Sequence, residues 1–306
     1  MNFTNRVSLL VAAALVATMA NGQNMPPEYE QALKTLGKSG DFKDQVLKVN
    51  IPRSDLKVTI DGIPTPTPFG FGGWLAMTKG TAGIDVMMGD LVLLEDEVNP
   101  VMSALLENGL EVTALHNHFF FESPRIFYMH VHGHGQAGDL AKMAKPAVDL
   151  IGKIAAPHRS SVSGGSSNVA AGQFNVAQLA KLAGHEGEQN GAVYKITVGR
   201  PDLKIKEMGA TINSRMGLNS WAAFFGSDAQ AEIAGDIAMR SNEVTAVLKA
   251  LRANGLNIVA IHHHMTGTEP TVYFLHYWGT GPAAKLAAGF RAALDQLGGK
   301  DRAEHR

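Results

Sequence analysis

Apolar and polar positions alternate over 46–60 and 193–205, where Val, Ile and Thr are frequent, and this two-residue period predicts strands. Over the next conserved-length stretch the period changes. Val98, Val101, Met102 and Leu105 recur every three to four positions, as do Val244, Val247, Leu248 and Leu251, so a helix is predicted in both places. Each pattern stops at an Asn-Gly pair, Asn108-Gly109 or Asn254-Gly255, where glycine can take the left-handed conformation that ends a helix. Strand-like runs follow at 111–118 and 127–133, joined through Glu122-Ser123-Pro124, and again at 257–264 and 272–279 around Pro270. Closing helices are expected over about 137–154 and about 282–297.

The same order of elements thus occurs twice, and so do the residues. Arg53-Ser54-Asp55-Leu56-Lys57-Val58 faces Arg200-Pro201-Asp202-Leu203-Lys204-Ile205, and in the same frame Trp74 meets Trp221. Between 89–135 and 235–281 about 17 of 47 positions are identical, against about 3 expected by chance. A repeat this long is a duplicated domain rather than a solenoid unit. The predicted fold is α+β: two tandem copies of a module with a largely antiparallel sheet and helices packed on one face. A Ser/Gly run at 160–168 has too little apolar content to pack and reads as a linker between a first repeat domain, 23–159, and a second, 169–306.

Residues 1–22 read as an export signal. Asn5-Arg6 gives a short positive region, an apolar stretch from Ser8 to Met19 follows, and cleavage is expected after Ala20 or Gly22. About 12 apolar residues span roughly 18 Å as a helix, too little for a hydrocarbon core of about 30 Å. No transmembrane segment is expected in the mature protein, which is placed in the periplasm or outside the cell. A net charge of -1 with scattered Lys and Arg offers no field for phosphate backbones, so nucleic acid is not an expected partner. The absence of cysteine excludes disulfides, thiolate nucleophiles and sulfur-ligated metals, leaving nitrogen and oxygen ligands.

Nine of the twelve histidines fall in the two predicted hairpins. Strand alternation puts His116 and His118 on one face, and His262 and His264 on another, with His263 turned away. A hairpin symmetric about Pro124 sets His118 opposite His130, and symmetry about Pro270 sets His264 opposite His276. Each triplet is therefore a candidate ligand set for Zn²⁺ or Cu²⁺, borderline metals that suit imidazole. Glu122 and His132 are optional further ligands, and His134 lies beyond them at the strand end. Glu122 is also the candidate general base, although Thr268 stands in its place in the second copy. The order His-x-His-x-x-x-Glu with a distal His resembles the metal motif of cupins, but a helix directly before the His strand argues against a cupin barrel.

Other duplicated residues are read structurally. Arg53 with Asp55, and Arg200 with Asp202, alternate on strands and are candidates for same-face ion pairs, worth at most about 1 kcal/mol if exposed. Trp74 and Trp221 are expected in a core or interface. Asp90 and Asp236 are read first as helix caps and second as carboxylates that orient a metal-bound imidazole.

Taken with Met88-Gly89-Asp90-Leu91-Val92-Leu93, Glu97-Val98-Asn99-Pro100-Val101-Met102 and His130-Val131-His132-Gly133-His134-Gly135, these motifs resemble the LppY/LpqO family of exported bacterial proteins. The resemblance covers essentially the whole mature chain and implies two tandem domains, with no activity attached. The family's namesakes are lipoproteins, whereas this chain has no lipobox cysteine. Three functions are expected in this order: an exported metal-binding protein, a metal-dependent envelope enzyme with an open coordination position, and a metal-free module binding a small molecule or a protein.

Overall fold

The computed structural model describes residues 24–154 and 174–298. The expected signal at 1–22 and the Ser/Gly run at 160–168 lie outside the described residues. In the first repeat, α1 (Pro27–Leu36) precedes β1 (Gly40–Lys43), β2 (Val46–Pro52), a short β3 (Val58–Ile60) and β4 (Ile63–Thr65). Then come β5 (Gly72–Lys79), β6 (Asp85–Leu94), α2 (Glu95–Glu107), β7 (Glu111–His116), β8 (Glu122–Ser123), β9 (Ile126–Gly135) and α3 (Ala137–Leu150). The second repeat runs α4 (Val176–Ala183), β10 (Gly187–Asn190), β11 (Val193–Gly199), β12 (Lys206–Glu207), β13 (Ala210–Thr211) and β14 (Asn219–Gly226). It ends with β15 (Ala231–Arg240), α5 (Val244–Ala253), β16 (Asn257–His262), β17 (Val272–Gly281) and α6 (Ala283–Leu294).

Each repeat is an α+β module whose main sheet has six antiparallel strands, ordered β1-β2-β5-β6-β9-β7 or β10-β11-β14-β15-β17-β16. The alternation over 46–60 is broken by a turn, so β2 and β3 are separate strands and only β2 belongs to the main sheet. Likewise β11 ends at Gly199. The helices begin and end as their sequence dictates. Glu95, Asp96 and Glu97 put negative charge at the positive end of α2, and Gly109 at φ 84° and Gly255 at φ 79° close α2 and α5 in the left-handed region.

One face of the first sheet carries Leu47, Val49, Leu75, Met77, Leu91 and Val131 into a core shared with α1, α2 and α3. Among the described residues no α-helix lies over the opposite face. Its Val46, Ala76, Val86 and Met88 pack with Leu203, Ile205, Ile212, Ala238 and Phe274 of the second repeat. Farther along, Val92 and Tyr128 join Ala223, Phe225, Ala234 and Trp278. The sheets therefore meet face to face in a helix–sheet–sheet–helix sandwich, and each fully buried Leu or Phe at the seam contributes about 1.5–3 kcal/mol. Arms cross the seam in both directions. Val58 and Ile60 of β3 lie in the cluster with second-repeat residues, while Ala210 of β13 lies against the first sheet.

The expected Arg–Asp pairs form, with the arginine end buried. Arg53 is 1% exposed and donates to Asp55 at 2.9 Å, to Glu97 at 2.6 Å and to the Val92 carbonyl at 2.8 Å. Glu97 in turn accepts the Leu94 N–H at the start of α2 and the Gly152 N–H beyond α3, each at 2.8 Å. Arg200 repeats this with Asp202, Glu243 and the Ala238 carbonyl, and Glu243 accepts Arg240 and Gly298 N–H groups at 2.7 Å. Asp55 and Asp202 sit in the turn after the strand, where a short loop lets the carboxylate fold back on the guanidinium. Removing one partner of such a buried pair strands the other charge. Arg53→Met is expected to cost about 3–5 kcal/mol in urea denaturation, and Asp55→Asn, at the exposed end, about 1 kcal/mol or less.

Candidate metal centre

The centre of the seam is polar. On β9, His130 is paired with Asp90 of β6 and Ala114 of β7, while on β17 His276 is paired with Asp236 of β15 and Ala260 of β16. Cross-strand partners share a face, so Trp74, Asp90 and His130 form one row, and Trp221, Asp236 and His276 form its counterpart. Glycine at 89 and 235 is required by close packing. A Cβ at 89 would run into the Leu75 side chain, and one at 235 into Tyr277 and the Trp221 carbonyl.

His116 and His262 reach this face through a β-bulge. The ladder between β7 and β9 shifts between Val112 and Ala114, and the ladder between β16 and β17 between Ile258 and Ala260. Val112 still pairs with the core residue Val131, whereas Ala114 pairs with His130 on the seam. The extra residue inverts the alternation, so that His116 turns into the seam rather than toward the helices. Thr113, at the bulge, donates its hydroxyl to the His264 carbonyl at 2.9 Å and ties the two repeats together there.

Hairpins symmetric about the prolines are not what forms. His116 pairs with Tyr128 and His262 with Phe274, and His118 and His264 lie beyond the strand ends, so neither faces the histidine expected across from it. The segment after β7 instead leads into β8, which pairs with β3. His118 stacks on Tyr128 and His264 on Phe274, each with centroids 3.4 Å apart. Asn117 and His263, between the paired histidines, both contact backbone of the returning strand: Asn117 donates to the Ile126 carbonyl, and the His263 Nδ1 lies 3.3 Å from the Val272 carbonyl.

The two triplets do not close separately; they interleave. Ring centroids are 3.8 Å apart for His116 and His262, 3.5 Å for His118 and His276, and 4.1 Å for His130 and His264. Three overlapping groups could hold a metal ion: His116, His262 and His276; His130, His262 and His264; and Asp90, His116 and His130. Two of these draw ligands from both repeats. His130 and His276 direct Nδ1 at the Gly89 and Gly235 carbonyls, each at 3.2 Å, which assigns the proton to Nδ1 and leaves the Nε2 lone pair free. The buried Nε2 atoms of all six histidines have no hydrogen-bond partner.

Burial, the largest cause in every case, holds all six imidazoles below their ordinary pKa, with His116 and His264 lowered to about 3. Six neutral rings thus offer lone pairs. Burial also raises Asp90 and Asp236 well above the usual carboxylate range, and the charge of Asp236 raises Asp90 further. Lys48 and Lys195, lying over the Trp74 and Trp221 rings at 4.6 and 4.1 Å, are lowered to about 8, chiefly by burial. Asp90 and Asp236 are thus not helix caps, which Glu97 and Glu243 serve; they are strand carboxylates beside the histidines. Trp74 and Trp221 are interface aromatics as expected.

Glu122 stands elsewhere. It lies in β8, accepts the Ile126 N–H at 3.4 Å and belongs to none of the histidine groups. His132 does not extend the central cluster; it is grouped with His134 and Glu207. Lys48 and Lys195 were legible as a duplicated pair at the offset that relates Trp74 to Trp221, although a lysine in a strand gives no sign that it will be buried.

A family model described as Domain of Unknown Function (DUF1259) matches residues 30–150 and 177–296. The chain belongs to this family. It carries the domain in tandem, and its histidine centre lies where two DUF1259 domains meet. Comparison with curated proteins finds no match. Among solved structures, the trimeric bacterial microcompartment shell protein PduB is 12% identical over 83% of this chain and 90% of its own, with a TM-score of 0.19. EtuB from Clostridium kluyveri is 9% identical over 91% of this chain and 93% of its own, also at 0.19. Scores this low carry no structural argument.

The buried histidines give the metal-free protein a defined pH response. Their folded pKa values lie below the unfolded value of about 6.5, so the unfolded chain takes up more protons as pH falls. Stability is full above about 6.5 and is lost toward about 3, by at most about 1.4 kcal/mol per pH unit per histidine. Asp90 and Asp236, raised instead of lowered, oppose this with two groups against six. The urea midpoint of metal-stripped protein is therefore expected to drop markedly between pH 7.5 and 5.5; an unchanged midpoint would mean that the rings are already charged in the fold.

Proposed function

We propose that this protein is exported and binds a transition metal, Zn²⁺ or Cu²⁺, in one composite centre built jointly by its two repeats. The observation that carries the reading is the set of six buried Nε2 atoms without hydrogen-bond partners. Leaving one such group unpaired costs about 1–3 kcal/mol, so a ligand that uses the lone pairs stabilises a cluster of them. Neutral imidazole with no thiolate in the chain suits a borderline divalent ion, and Asp90, which belongs to one of the ligand groups, offers an oxygen donor beside it. Lys48 and Lys195 balance the carboxylates from the Trp side of the same rows.

The geometry favours binding over turnover. The six histidines are each no more than 8% exposed, which leaves little room for a substrate at the ion, and Glu122 is not positioned as a base for it. Closed shells of this type hold a metal rather than present it. The motifs around Gly89-Asp90 and His130 further support placing the chain in the LppY/LpqO group of the family. The apolar stretch after Asn5-Arg6 supports export, and no helix among the described residues is long and apolar enough to cross a membrane.

Protein purified without chelator should contain bound metal. Replacing only the first-repeat ligands, His116→Ala with His130→Ala, should remove all of the centre's metal, because each of the three ligand groups includes His116 or His130. Metal still held at His262, His264 and His276 would indicate two independent sites, and equal trace metal in both proteins would sink the metal reading. Metal added at about 1,000 times Kd should stabilise the stripped protein by about 4 kcal/mol. Expressed with its leader in a bacterium, the chain should yield an extracytoplasmic protein whose N-terminal sequence starts after Ala20 or Gly22; an intact Met1 in that fraction would refute export by cleavage.

A further inference from the structure

Two and four residues along β9 from His130, the same seam-facing side of the strand carries His132 and His134. Glu207 meets them from the second repeat, on the β12–β13 arm that crosses over the first sheet. The Met208 carbonyl fixes that arm by accepting both the Thr81 N–H at 2.7 Å and the Thr81 hydroxyl at 2.9 Å. One carboxylate oxygen of Glu207 lies 2.6 Å from the His132 Nε2 and 2.9 Å from the His134 Nε2. The rings stand nearly perpendicular, at 81°, which points both nitrogens at a common place from different directions.

Two features separate this group from an ordinary ion pair. The short approach of His132 Nε2 to Glu207 lacks hydrogen-bond geometry, and the second Glu207 oxygen is buried without a partner. On its far side, His132 directs Nδ1 toward the Glu111 carboxylate at 3.6 Å, the arrangement by which a carboxylate orients a metal-ligating imidazole. The group is also unnecessary to the fold. In the second repeat Trp278 and Thr280 replace His132 and His134, Ile60 replaces Glu207, and Trp278 and Ile60 pack in one apolar cluster. The same position thus holds Trp278 and Ile60, with the Glu232 carboxylate beside Trp278, in one half and three potential ligands in the other.

We propose that His132, His134 and Glu207 form a second divalent-cation site, distinct from the central one and independent of the reading given for it. Two imidazoles and one carboxylate are a ligand set for Zn²⁺. His134 is 31% exposed, so this site opens to solvent where the central one is sealed, and its remaining coordination position takes water or a small anion. Its ligands come from both repeats, so a bound ion also pins the arm of the second repeat to the first sheet. Glu111 is a positioning residue here.

The test is a zinc titration of stripped full-length protein followed by calorimetry, with Co²⁺ absorption as a second reading of geometry. Starting from the His116→Ala/His262→Ala variant, which takes at least one ligand from each of the three central groups, one equivalent should still bind. Adding Glu207→Gln, which keeps the shape of the side chain, should abolish that equivalent, as should His134→Ala. Glu111→Gln should weaken it by about 10–100-fold while preserving the stoichiometry. Circular dichroism establishes that each variant is folded, and if the His116→Ala/His262→Ala background does not fold, Glu207→Gln and His134→Ala in the wild-type chain should each lower total zinc by one equivalent. Equal zinc stoichiometry with and without Glu207→Gln would overturn the proposal and leave a His132–Glu207 ion pair.

Discussion

Each repeat has one sheet face covered by its own helices and an opposite face that packs largely against the other repeat. The pressing of these two open faces against each other is the interaction on which the rest of the structure depends. It buries apolar side chains of both repeats at both ends of the seam, and in doing so it encloses histidines, aspartates and lysines that a single repeat would leave in water. The desolvation that lowers the imidazoles and raises the aspartates is a consequence of that contact.

The polar centre is tolerable because it is organised. Gly89 and Gly235 let neighbouring strands and side chains come close, and their carbonyls fix the proton of His130 and His276 on Nδ1. The bulges at Thr113 and Val259 turn the ends of β7 and β16 so that His116 and His262 join the same cluster. Outside the centre, Arg53 and Arg200 lock strand turns, helix starts and the chain beyond the last helix to one another, with every charge paired. The six orphaned Nε2 atoms, with one oxygen of Asp90 beside them, stand apart from those paired anchors.

Pseudo-symmetry organises the cluster and is then broken. His116 stacks on its own counterpart His262, and His118 with His276 mirrors His264 with His130. The ring under His118 is Tyr128 and the ring under His264 is Phe274, so the two ends of the centre differ by one hydroxyl, which Tyr128 donates to the Gly70 carbonyl at 2.9 Å. At the seam's edge the departure is complete, with His132, His134 and Glu207 on one side and an apolar cluster on the other. Duplication preserved the scaffold while individual positions diverged in chemistry.

The amino-acid sequence by itself determined the duplication, the α+β class, the helices ending at Asn108-Gly109 and Asn254-Gly255, and the identity of six paired histidines. These are properties of local periodicity and of self-comparison, which need no knowledge of what packs where. Tertiary structure alone decided that the triplets interleave, that Glu122 stays with its own strand, that Arg53 is buried, and that Glu207 reaches across to His132. The hairpin register depended on two inserted residues and on β8 pairing with β3, neither of which alters the alternation enough to be read in one strand. Which side of a sheet is open, and what closes it, is a relation between segments far apart in the chain, and burial follows from that relation.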